Sequence, residues 1–217
     1  MIIIGAKGFA KELLEVFFQN REVDNLFFFD NVSVDLPVRL FDQFPVLRSI
    51  QEVKLIFQRS GDYSFALGVG SPLVRYNLTR EFEQAGGRLV SAISPQATLG
   101  HFGNTVGAGC TILGGAVITN GVSLGKGCLI NPHCSISHDA RLGDFVEMSP
   151  GSRVTGSAIV DNFSIMGTNS VVLPKVRIGS NVIVGAGAVV TRDVPDNCLV
   201  VGVPATIKKK LEPLNFL

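Results

Sequence analysis

From Val106 onward, the chain carries an aliphatic residue at every sixth position, and the run continues without an insertion to Val190. A period of six fits neither an α-helix at 3.6 residues per turn nor a simple strand at 2. It is typical of short strands joined by sharp corners, three to a coil, and stacked as a parallel β-helix. The fifteen positions are Val106, Ile112, Ile118, Leu124, Ile130, Ile136, Leu142, Met148, Val154, Val160, Met166, Val172, Ile178, Val184 and Val190.

Smaller residues and glycines complete the repeat. Four positions after each aliphatic residue, from Cys110 to Ala188, stands Cys, Ala, Ser or Val and nothing larger. The small residue leaves room for the large one inside a narrow coil. Glycines recur at multiples of eighteen, as one corner of a triangular coil requires: Gly107, Gly125, Gly143 and Gly179. Fifteen hexads predict about five coils and, at roughly 4.8 Å per coil, a prism about 24 Å tall, with residues 93–105 adding an imperfect opening coil.

An alternation of strands and helices precedes the repeat. We expect strands at residues 1–4, 25–29, 53–57 and 65–69 and helices at residues 11–19 and 73–85. In the first helix Leu13, Leu14, Phe17 and Phe18 share one side. This alternation predicts a small, open, parallel sheet with covering helices, a Rossmann-like α/β domain.

The chain therefore divides into three parts. We predict an N-terminal α/β domain at residues 1–92, a parallel β-helix domain at 93–204, and a C-terminal tail or short helix at 205–217. Within the last two parts, residues 193–204 are expected to be irregular and residues 205–211 to form the short helix.

Composition excludes several classes of protein. Nineteen basic and eighteen acidic side chains are spread along the 217 residues, so no basic face for nucleic acid is expected. The first residues are too short and uncharged a stretch for a signal peptide, and no apolar run approaches the roughly 18 residues of a membrane helix. Four cysteines without a CxxC pair favour reduced thiols in a cytoplasm, and three of them, Cys110, Cys128 and Cys134, occupy small core positions rather than a metal site.

Only three histidines are present, at positions 101, 133 and 138. His138 lies two residues after Ile136, where the chain rounds an outer corner, so its imidazole is available for proton transfer near neutral pH. Asp139 follows directly and can orient the ring. Gly156 stands eighteen residues later, one coil up, where its backbone N–H is a candidate donor to an oxyanion. Alternatively, His138 is an exposed histidine without a catalytic function, and Gly156 is present only because the corner requires glycine.

The segment Gly5-Ala6-Lys7-Gly8 lies between a predicted strand and a predicted helix, where backbone amides can hold a phosphate. Asp30, at the end of the next strand, can accept from ribose hydroxyls. Arg75 can neutralise a diphosphate, although an arginine on a helix is more often a surface charge. The alternative role for the whole domain is a spacer or an oligomer contact.

These features together resemble the NeuD/PglD-like sugar acetyltransferases of bacterial sialic-acid, bacillosamine and surface-glycan pathways, and the resemblance covers essentially the whole chain. It rests on the order of several motifs. They are Ser137-His138-Asp139, Gly143-Asp144-Phe145-Val146-Glu147-Met148-Ser149-Pro150-Gly151, Val184-Gly185-Ala186-Gly187-Ala188-Val189-Val190, Val201-Gly202-Val203-Pro204-Ala205 and, near the N-terminus, Gly5-Ala6-Lys7-Gly8 and Gly70-Ser71-Pro72-Leu73-Val74-Arg75.

The resemblance implies a left-handed β-helix, a homotrimer and acetyl transfer from acetyl-CoA to the amino group of a nucleotide-linked amino sugar, without a metal. It assigns His138 as general base with Asp139 as its partner and Gly156 as oxyanion donor. It places acetyl-CoA at Glu147, Thr168 and Ala186, and the nucleotide sugar at Gly5, Lys7, Gly8, Phe9, Asp30, Gly70 and Arg75. The family usually has histidine where this chain has Phe9 and Glu147.

Three other functions stay open from the sequence. One is O-acetylation of a sugar by the same machinery. Another is a zinc enzyme like the γ-carbonic anhydrases, since His133 and His138 have the HxxxxH spacing of two zinc ligands. The third ligand of that class is expected at position 97, which is alanine here. The last is a nucleotide-sugar-binding protein without catalysis.

Overall fold

The computed structural model describes residues 1–216, so Leu217, the end of the predicted tail, lies outside the described residues. The first part is an α/β domain. Its elements, in chain order, are β1 (Ile2–Ile4), α1 (Gly8–Gln19), β2 (Phe27–Phe29), β3 (Arg39–Leu40), β4 (Phe44–Leu47), α2 (Ile50–Ser60), β5 (Ser64–Leu67), α3 (Pro72–Gln84) and β6 (Arg88–Leu89).

The six strands form one sheet in the order β3-β4-β2-β1-β5-β6, with every neighbouring pair parallel except β3 and β4. The central strand β1 is buried on both faces, which explains its unbroken run of isoleucines. Because β1 connects to β2 on one side and β5 lies on its other side, the carboxyl ends of β1 and β5 mark the point where strand order reverses. Ligands of open α/β sheets bind at this position.

Residues 53–57, predicted as a strand, belong to helix α2, and that prediction is wrong. Ser49 caps the helix in a reciprocal box with Glu52, and Gly61 ends it at a φ of 68°. Val53 and Phe57 are its two buried residues, and their spacing of four is that of one helix face. Helix α1 also begins three residues earlier than predicted, and Phe18 is exposed rather than on the buried side.

The second part is a three-sided prism of two-residue strands. Face 1 contains β7 (Ala92–Ile93), β10 (Thr111–Ile112), β13 (Leu129–Ile130), β16 (Glu147–Met148), β19 (Ile165–Met166) and β22 (Ile183–Val184). Face 2 contains β8 (Thr98–Leu99), β11 (Val117–Ile118), β14 (Ser135–Ile136), β17 (Arg153–Val154), β20 (Val171–Val172) and β23 (Val189–Val190). Face 3 contains β9 (Thr105–Val106), β12 (Ser123–Leu124), β15 (Arg141–Leu142), β18 (Ile159–Val160) and β21 (Arg177–Ile178).

Each strand pairs in parallel with the strand eighteen residues away on the same face, as Leu129 does with Thr111 and Glu147. Of the predicted aliphatic positions, all but Val106 are buried, and the small positions four residues later are buried as well. The predicted fold class, a small α/β domain followed by a left-handed parallel β-helix, is confirmed. We call the corner between faces 1 and 2 corner A, that between faces 2 and 3 corner B, and that between faces 3 and 1 corner C.

The prism ends in a hairpin of two strands, β24 (Cys198–Gly202) on face 1 and β25 (Ala205–Lys210), paired antiparallel. The predicted short helix at residues 205–211 is therefore wrong. Gly202 has a φ of 100° and turns the chain back with Pro204, so the residues that follow meet the free edge of β24. Pairing with that edge satisfies backbone groups that a helix at this position leaves open.

The α/β domain packs against face 1 and corner C. Ala92 and Leu113 of the prism belong to the same buried cluster as the core of the α/β domain, and the outward side chains of Thr111 and Leu129 on face 1 are buried. At corner C, Tyr76 of α3 meets Phe145 and Phe163 edge to face at 5.5 and 5.6 Å, and the last described residue, Phe216, joins them at 5.2 Å from Tyr76. Such pairs add to the burial of the rings, so the aromatic cluster fastens the domain, the prism and the tail together. Along residues 1–216 no helix is both long and apolar enough to span a membrane.

Candidate active site

The imidazole of His138 stands on corner B beside the carboxylate of Asp139. Nδ1 lies 2.9 Å from Asp139 Oδ2, and both side chains are about two-thirds exposed. Asp139 sits in the left-handed region at a φ of 61°, which Asp tolerates better than most residues and which brings its carboxylate back to the ring. When Nδ1–H donates to the carboxylate, Nε2 keeps the lone pair and is the basic nitrogen.

Nε2 faces Gly156, one coil further along corner B. A Cβ on Gly156 would lie 2.6 Å from Nε2 and 2.7 Å from Cε1 of His138, so only glycine leaves the ring in place. Among residues 1–216, no group accepts a hydrogen bond from the Gly156 N–H. Because backbone N–H groups normally find an acceptor, the corner beside the basic nitrogen offers one fixed donor to a ligand.

The corners differ in how their backbone N–H groups are satisfied. On corner C, the N–H of Lys126 donates to Asp144 and the N–H of Asp144 donates to Asn162, each at 2.7 Å. On corner A, no acceptor within the described part of the chain meets the N–H of Thr168 or of Ala186. Both residues are exposed and one coil apart. Corner A thus carries a column of free donors suited to the amide carbonyls of an extended ligand.

Glu147 lies on face 1, directly before corner A, and its side chain is 18% exposed. Burial raises the pKa of its carboxyl group, and the charge of Arg75 at 3.7 Å and the Ser149 hydroxyl partly offset that effect. Glu147 is therefore engaged by the protein itself and is not a free surface carboxylate.

A cleft of about 360 Å³ lies at the carboxyl ends of β1, β2 and β5 and is lined by Gly5, Asp30, Val32, Val74 and Asn77, among others. Gly5 has a φ of 99°, and a Cβ there would meet the carbonyl oxygen of Gly68 at 2.7 Å, so this turn requires glycine. The cleft occupies the reversal point of the sheet, where the fold predicts a ligand.

Two helices begin next to this cleft with their amino ends open. Helix α1 starts after Lys7 and α3 after Ser71, and neither has a side-chain cap or an acidic residue in its first turn. Helix α2, which begins elsewhere, has a full capping box with Glu52 in its first turn. Uncapped N–H groups and the positive end of the helix dipole favour an anion, so the cleft is suited to phosphate groups.

The other predicted cleft residues have distinct surroundings. Gly8 and Lys7 are exposed, and Phe9 is half-buried in the first turn of α1 against the core of the α/β domain. Asp30 accepts from the N–H groups of Val32 and Ser33 and from the Ser33 hydroxyl. Partial burial alone would raise the pKa of Asp30, but these hydrogen bonds outweigh it, and the pKa is lowered.

Arg75 departs from its predicted role. Its side chain is 1% exposed and its N–H groups bond to main-chain carbonyls, so it has no donor facing a diphosphate in the cleft. Burial lowers its pKa to about 10, partly offset by the charge of Glu147. The sequence showed an arginine in the first turn of a helix, and nothing local indicated that the prism covers it.

His133 lies on corner A, packed over Gly115, whereas His138 lies on corner B. The two histidines of the HxxxxH spacing therefore do not converge within one chain. Within residues 1–216 no group of three or more His, Cys, Asp or Glu side chains is arranged to hold a metal ion.

The site residues fall on opposite sides of the prism. The α/β domain, with its cleft, covers face 1, and corner A adjoins that face. His138, Asp139 and Gly156 stand on corner B, which is the corner opposite face 1. One chain therefore carries the cleft and the free N–H groups of corner A on one side of the prism and His138 on the opposite side.

Comparison with known proteins finds one matching family model and several similar solved structures. Residues 1–82 match the family model described as the PglD N-terminal domain. A variant of perosamine N-acetyltransferase from Caulobacter crescentus, solved with CoA and GDP-perosamine, is 30% identical, with 96% of each chain covered and a TM-score of 0.88. No curated protein sequence gives a significant match.

Two further solved structures are similar over nearly the whole length. The acetyltransferase domain of PglB from Neisseria gonorrhoeae, in complex with acetyl coenzyme A, is 28% identical, with 95% of this chain and 97% of that chain covered and a TM-score of 0.86. WeeI from Acinetobacter baumannii is 26% identical, with 95% and 98% covered and a TM-score of 0.85.

Proposed function

We propose, starting from the fact that this chain belongs to the NeuD/PglD family of nucleotide-sugar acetyltransferases, that it acetylates the amino group of a nucleotide-linked amino sugar. It is an acetyl-CoA-dependent sugar acyltransferase. The observation that carries the proposal is the Nε2 of His138 packed against Gly156, whose backbone N–H has no acceptor among residues 1–216. The sugar is an intermediate of bacterial surface-glycan or sialic-acid-type biosynthesis.

In the proposed reaction, the sugar amine attacks the thioester carbonyl carbon of acetyl-CoA, and His138 Nε2 takes the proton that the nitrogen loses. The negative charge that develops on the carbonyl oxygen is stabilised by the Gly156 N–H. Asp139 stabilises the imidazolium that forms. The C–S bond then breaks, and the CoA thiolate leaves with the proton from His138. Transfer is direct, because the four cysteines are buried inside the prism and none lies beside the base.

The two substrates occupy different parts of the chain. The phosphates of the nucleotide sugar bind at the amino ends of α1 and α3. Gly5 and Asp30 line the cleft, and the other residues proposed for this substrate lie at the start of α1 (Lys7, Gly8 and Phe9) and just before α3 (Gly70). The pantetheine arm of acetyl-CoA runs along corner A, where the N–H groups of Thr168 and Ala186 are free donors for its amide carbonyls, close to Glu147.

We further propose that the active site is completed by a second copy of the chain in a homotrimer. The support is the position of His138 on corner B, opposite the face that carries the cleft domain. A neighbouring prism can bring its corner B to corner A of the first, and a closed ring of three such heterologous contacts leaves no free interface. The free, buried cysteines agree with assembly in a reducing cytoplasm.

The main test is release of free CoA from acetyl-CoA in the presence of UDP-, GDP- and dTDP-linked 4-amino sugars. We expect turnover that needs both an amino sugar and His138, with His138→Ala at least about 10²-fold slower. Mass spectrometry of the product separates N- from O-acetylation. No turnover across the panel by a well-folded oligomer contradicts the proposal and leaves a nucleotide-sugar-binding protein, whereas His138→Ala at the full rate removes the proposed base.

The cleft is tested at Gly8, where a Cβ would meet nothing within 4 Å. Gly8→Asp places a carboxylate at the open end of α1 and should weaken nucleotide-sugar binding at least about tenfold by repelling phosphate. Gly8→Ala is the matched control and should bind like the wild type. Equal binding by both variants contradicts a phosphate site at α1.

These variants also test the shared site. Each variant alone is expected to be slower than the wild type, His138→Ala at least about 10²-fold and Gly8→Asp at least about tenfold when the nucleotide sugar is held well below its Kd. Mixed trimers of the two are expected to regain up to about a quarter of the wild-type rate, because some interfaces then join an intact cleft to an intact histidine. No recovery in verified mixed trimers places the whole site within one chain.

A further inference from the structure

Arg75 is the largest fully buried charged side chain of the described residues, and it belongs to neither substrate surface. It leaves the first turn of α3 and reaches into corner C of the prism. Its Nε–H donates to the Gly127 carbonyl at 3.2 Å, its Nη2 donates to the carbonyls of Phe145 at 2.8 Å and Val146 at 3.2 Å, and its Nη1 donates to the Gly70 carbonyl.

These carbonyls belong to two different units. Gly70 is in the loop that leads from β5 into α3 at the edge of the nucleotide-sugar cleft, whereas the other three belong to adjacent coils of the prism. Main-chain carbonyls within turns and coils cannot rotate away from a donor as side chains do. The planar guanidinium, which holds several acceptors in one fixed geometry, therefore sets the position of the cleft loop relative to the prism.

The same guanidinium also faces the acyl-donor side. Nη1 lies 3.7 Å from Glu147 Oε2. Glu147 is directly followed by corner A, with the free N–H groups of Thr168 and Ala186 further along it. Arg75 thus contacts the edge of the sugar cleft on one side and, on the other, Glu147, the first residue of the strand that leads into the acyl-donor corner.

We propose that Arg75 is a positioning residue for the transfer, with Glu147 as its charge partner. This inference rests on the proposed function. By tying the Gly70 loop to the strand of Glu147, Arg75 holds the sugar amine at a fixed distance from the acetyl group bound along corner A. It contacts neither substrate. A displacement of about 1 Å between two reacting groups is enough to cost about 10²-fold in rate.

The test compares Arg75→Lys, Arg75→Met and the double variant Arg75→Met/Glu147→Gln with the wild type, and uses Arg59→Met, an exposed arginine of α2, as control. Lysine keeps the charge but cannot join the carbonyls of both units at once. We expect kcat to fall at least tenfold in all three Arg75 variants. In the two single variants, the Kd of the nucleotide sugar, measured by calorimetry with GDP-perosamine or the best substrate of the panel, and the KM of acetyl-CoA should each change less than threefold.

The double variant separates positioning from folding. Arg75→Met leaves the partly buried Glu147 without its charge partner, and removing both charges should recover part of the lost thermal stability. We expect this recovery of Tm without a recovery of kcat, because the Gly70 loop is still not hydrogen-bonded to the prism through Arg75. A return of kcat together with Tm shows a structural role only and overturns the proposal.

The remaining outcomes are also decisive. A large rise in the Kd of the nucleotide sugar would make Arg75 a substrate ligand. An unchanged kcat in Arg75→Lys would show that positioning does not need the several donors of the guanidinium. Either result overturns the inference while the wild type stays active. A wild type without transfer activity overturns the proposed function itself, and this inference with it.

Discussion

His138 Nε2 and the Cα of Gly156 are in such close contact that a single methyl group between them would come within 2.6 Å of the nitrogen. The backbone of Gly156 does not have the left-handed φ seen at the neighbouring turn glycines, so conformation does not demand glycine at this position. Glycine is required at this position because the imidazole ring occupies the space that a Cβ would need. The contact joins the proposed base to the proposed oxyanion donor across one coil.

The first prediction concerns Gly156→Ala. The added methyl group forces the imidazole off its position, and we expect kcat to fall about 10²-fold. The Tm should change by only a few degrees, because the exposed ring can swing into solvent. Steady-state kinetics and a thermal melt measure both, and a wild-type kcat in this variant contradicts the proposed geometry.

Asp139→Asn is the second prediction. The amide has nearly the shape of the carboxylate but carries no charge, and it can present a donor to Nδ1, which favours the wrong tautomer of the ring. We expect kcat to fall between about 10- and 10⁴-fold with the fold intact. Asp161→Asn, which removes a surface carboxylate paired with Arg177 at 2.8 Å, is the control and should keep the wild-type kcat. Equal activity of the two variants would show that Asp139 does not orient the base.

The third prediction links Asp30 to pH. Its folded-state pKa lies below the unfolded value of 3.8 because it accepts hydrogen bonds from residues 32 and 33. A lowered pKa means that this stabilisation is fully present above the unfolded pKa and is lost as the pH falls through the folded one. Asp30→Asn should therefore lower Tm at pH 7, and the difference from the wild type should shrink below about pH 4. A difference in Tm that does not depend on pH would contradict this assignment.

The fourth prediction concerns the tail. Phe216 packs against Tyr76 and Phe163, with ring centroids 5.2 Å apart in both pairs, and it is about half exposed. We expect Phe216→Ala to destabilise the chain by about 1 kcal/mol, in line with one partly buried aromatic pair. Limited proteolysis should cut the tail faster, while Phe216→Leu should retain more of the protection. Unchanged Tm and cleavage rate would show that the tail does not fasten α3 to the prism.

The prism was predictable because its rule is local. A large aliphatic residue and a small one recur at fixed spacing, and their burial depends only on the coils directly above and below. The same regularity placed His138 and Gly156 on one corner from sequence alone. The predicted imperfection of the opening coil is also seen, since Leu99 and Val106 end successive strands and are seven residues apart rather than six.

The errors arose where the pattern was ambiguous or the partner was distant. Val53 and Phe57 fit a short apolar strand until the capping box at Ser49 and Glu52 is taken into account. Ala205–Lys210 became a strand because it meets the edge of Cys198–Gly202, which no local signal shows. By its local sequence Arg75 fits a diphosphate ligand or a surface charge, because three of its four carbonyl acceptors lie 52 to 71 residues away along the chain.

The eighteen-residue coil also sets a rule for how such a chain can change its length. Inserting or deleting eighteen residues between functional positions returns each to its own corner and alters only its height. An insertion or deletion of six residues would instead move every later residue to a neighbouring corner. Such a change between His138 and Gly156 would separate the base from its oxyanion donor. The seven-residue step between Leu99 and Val106 is harmless because it lies before every site residue of the prism. Related prisms should therefore differ in length by whole coils placed outside the interval from His138 to Gly156.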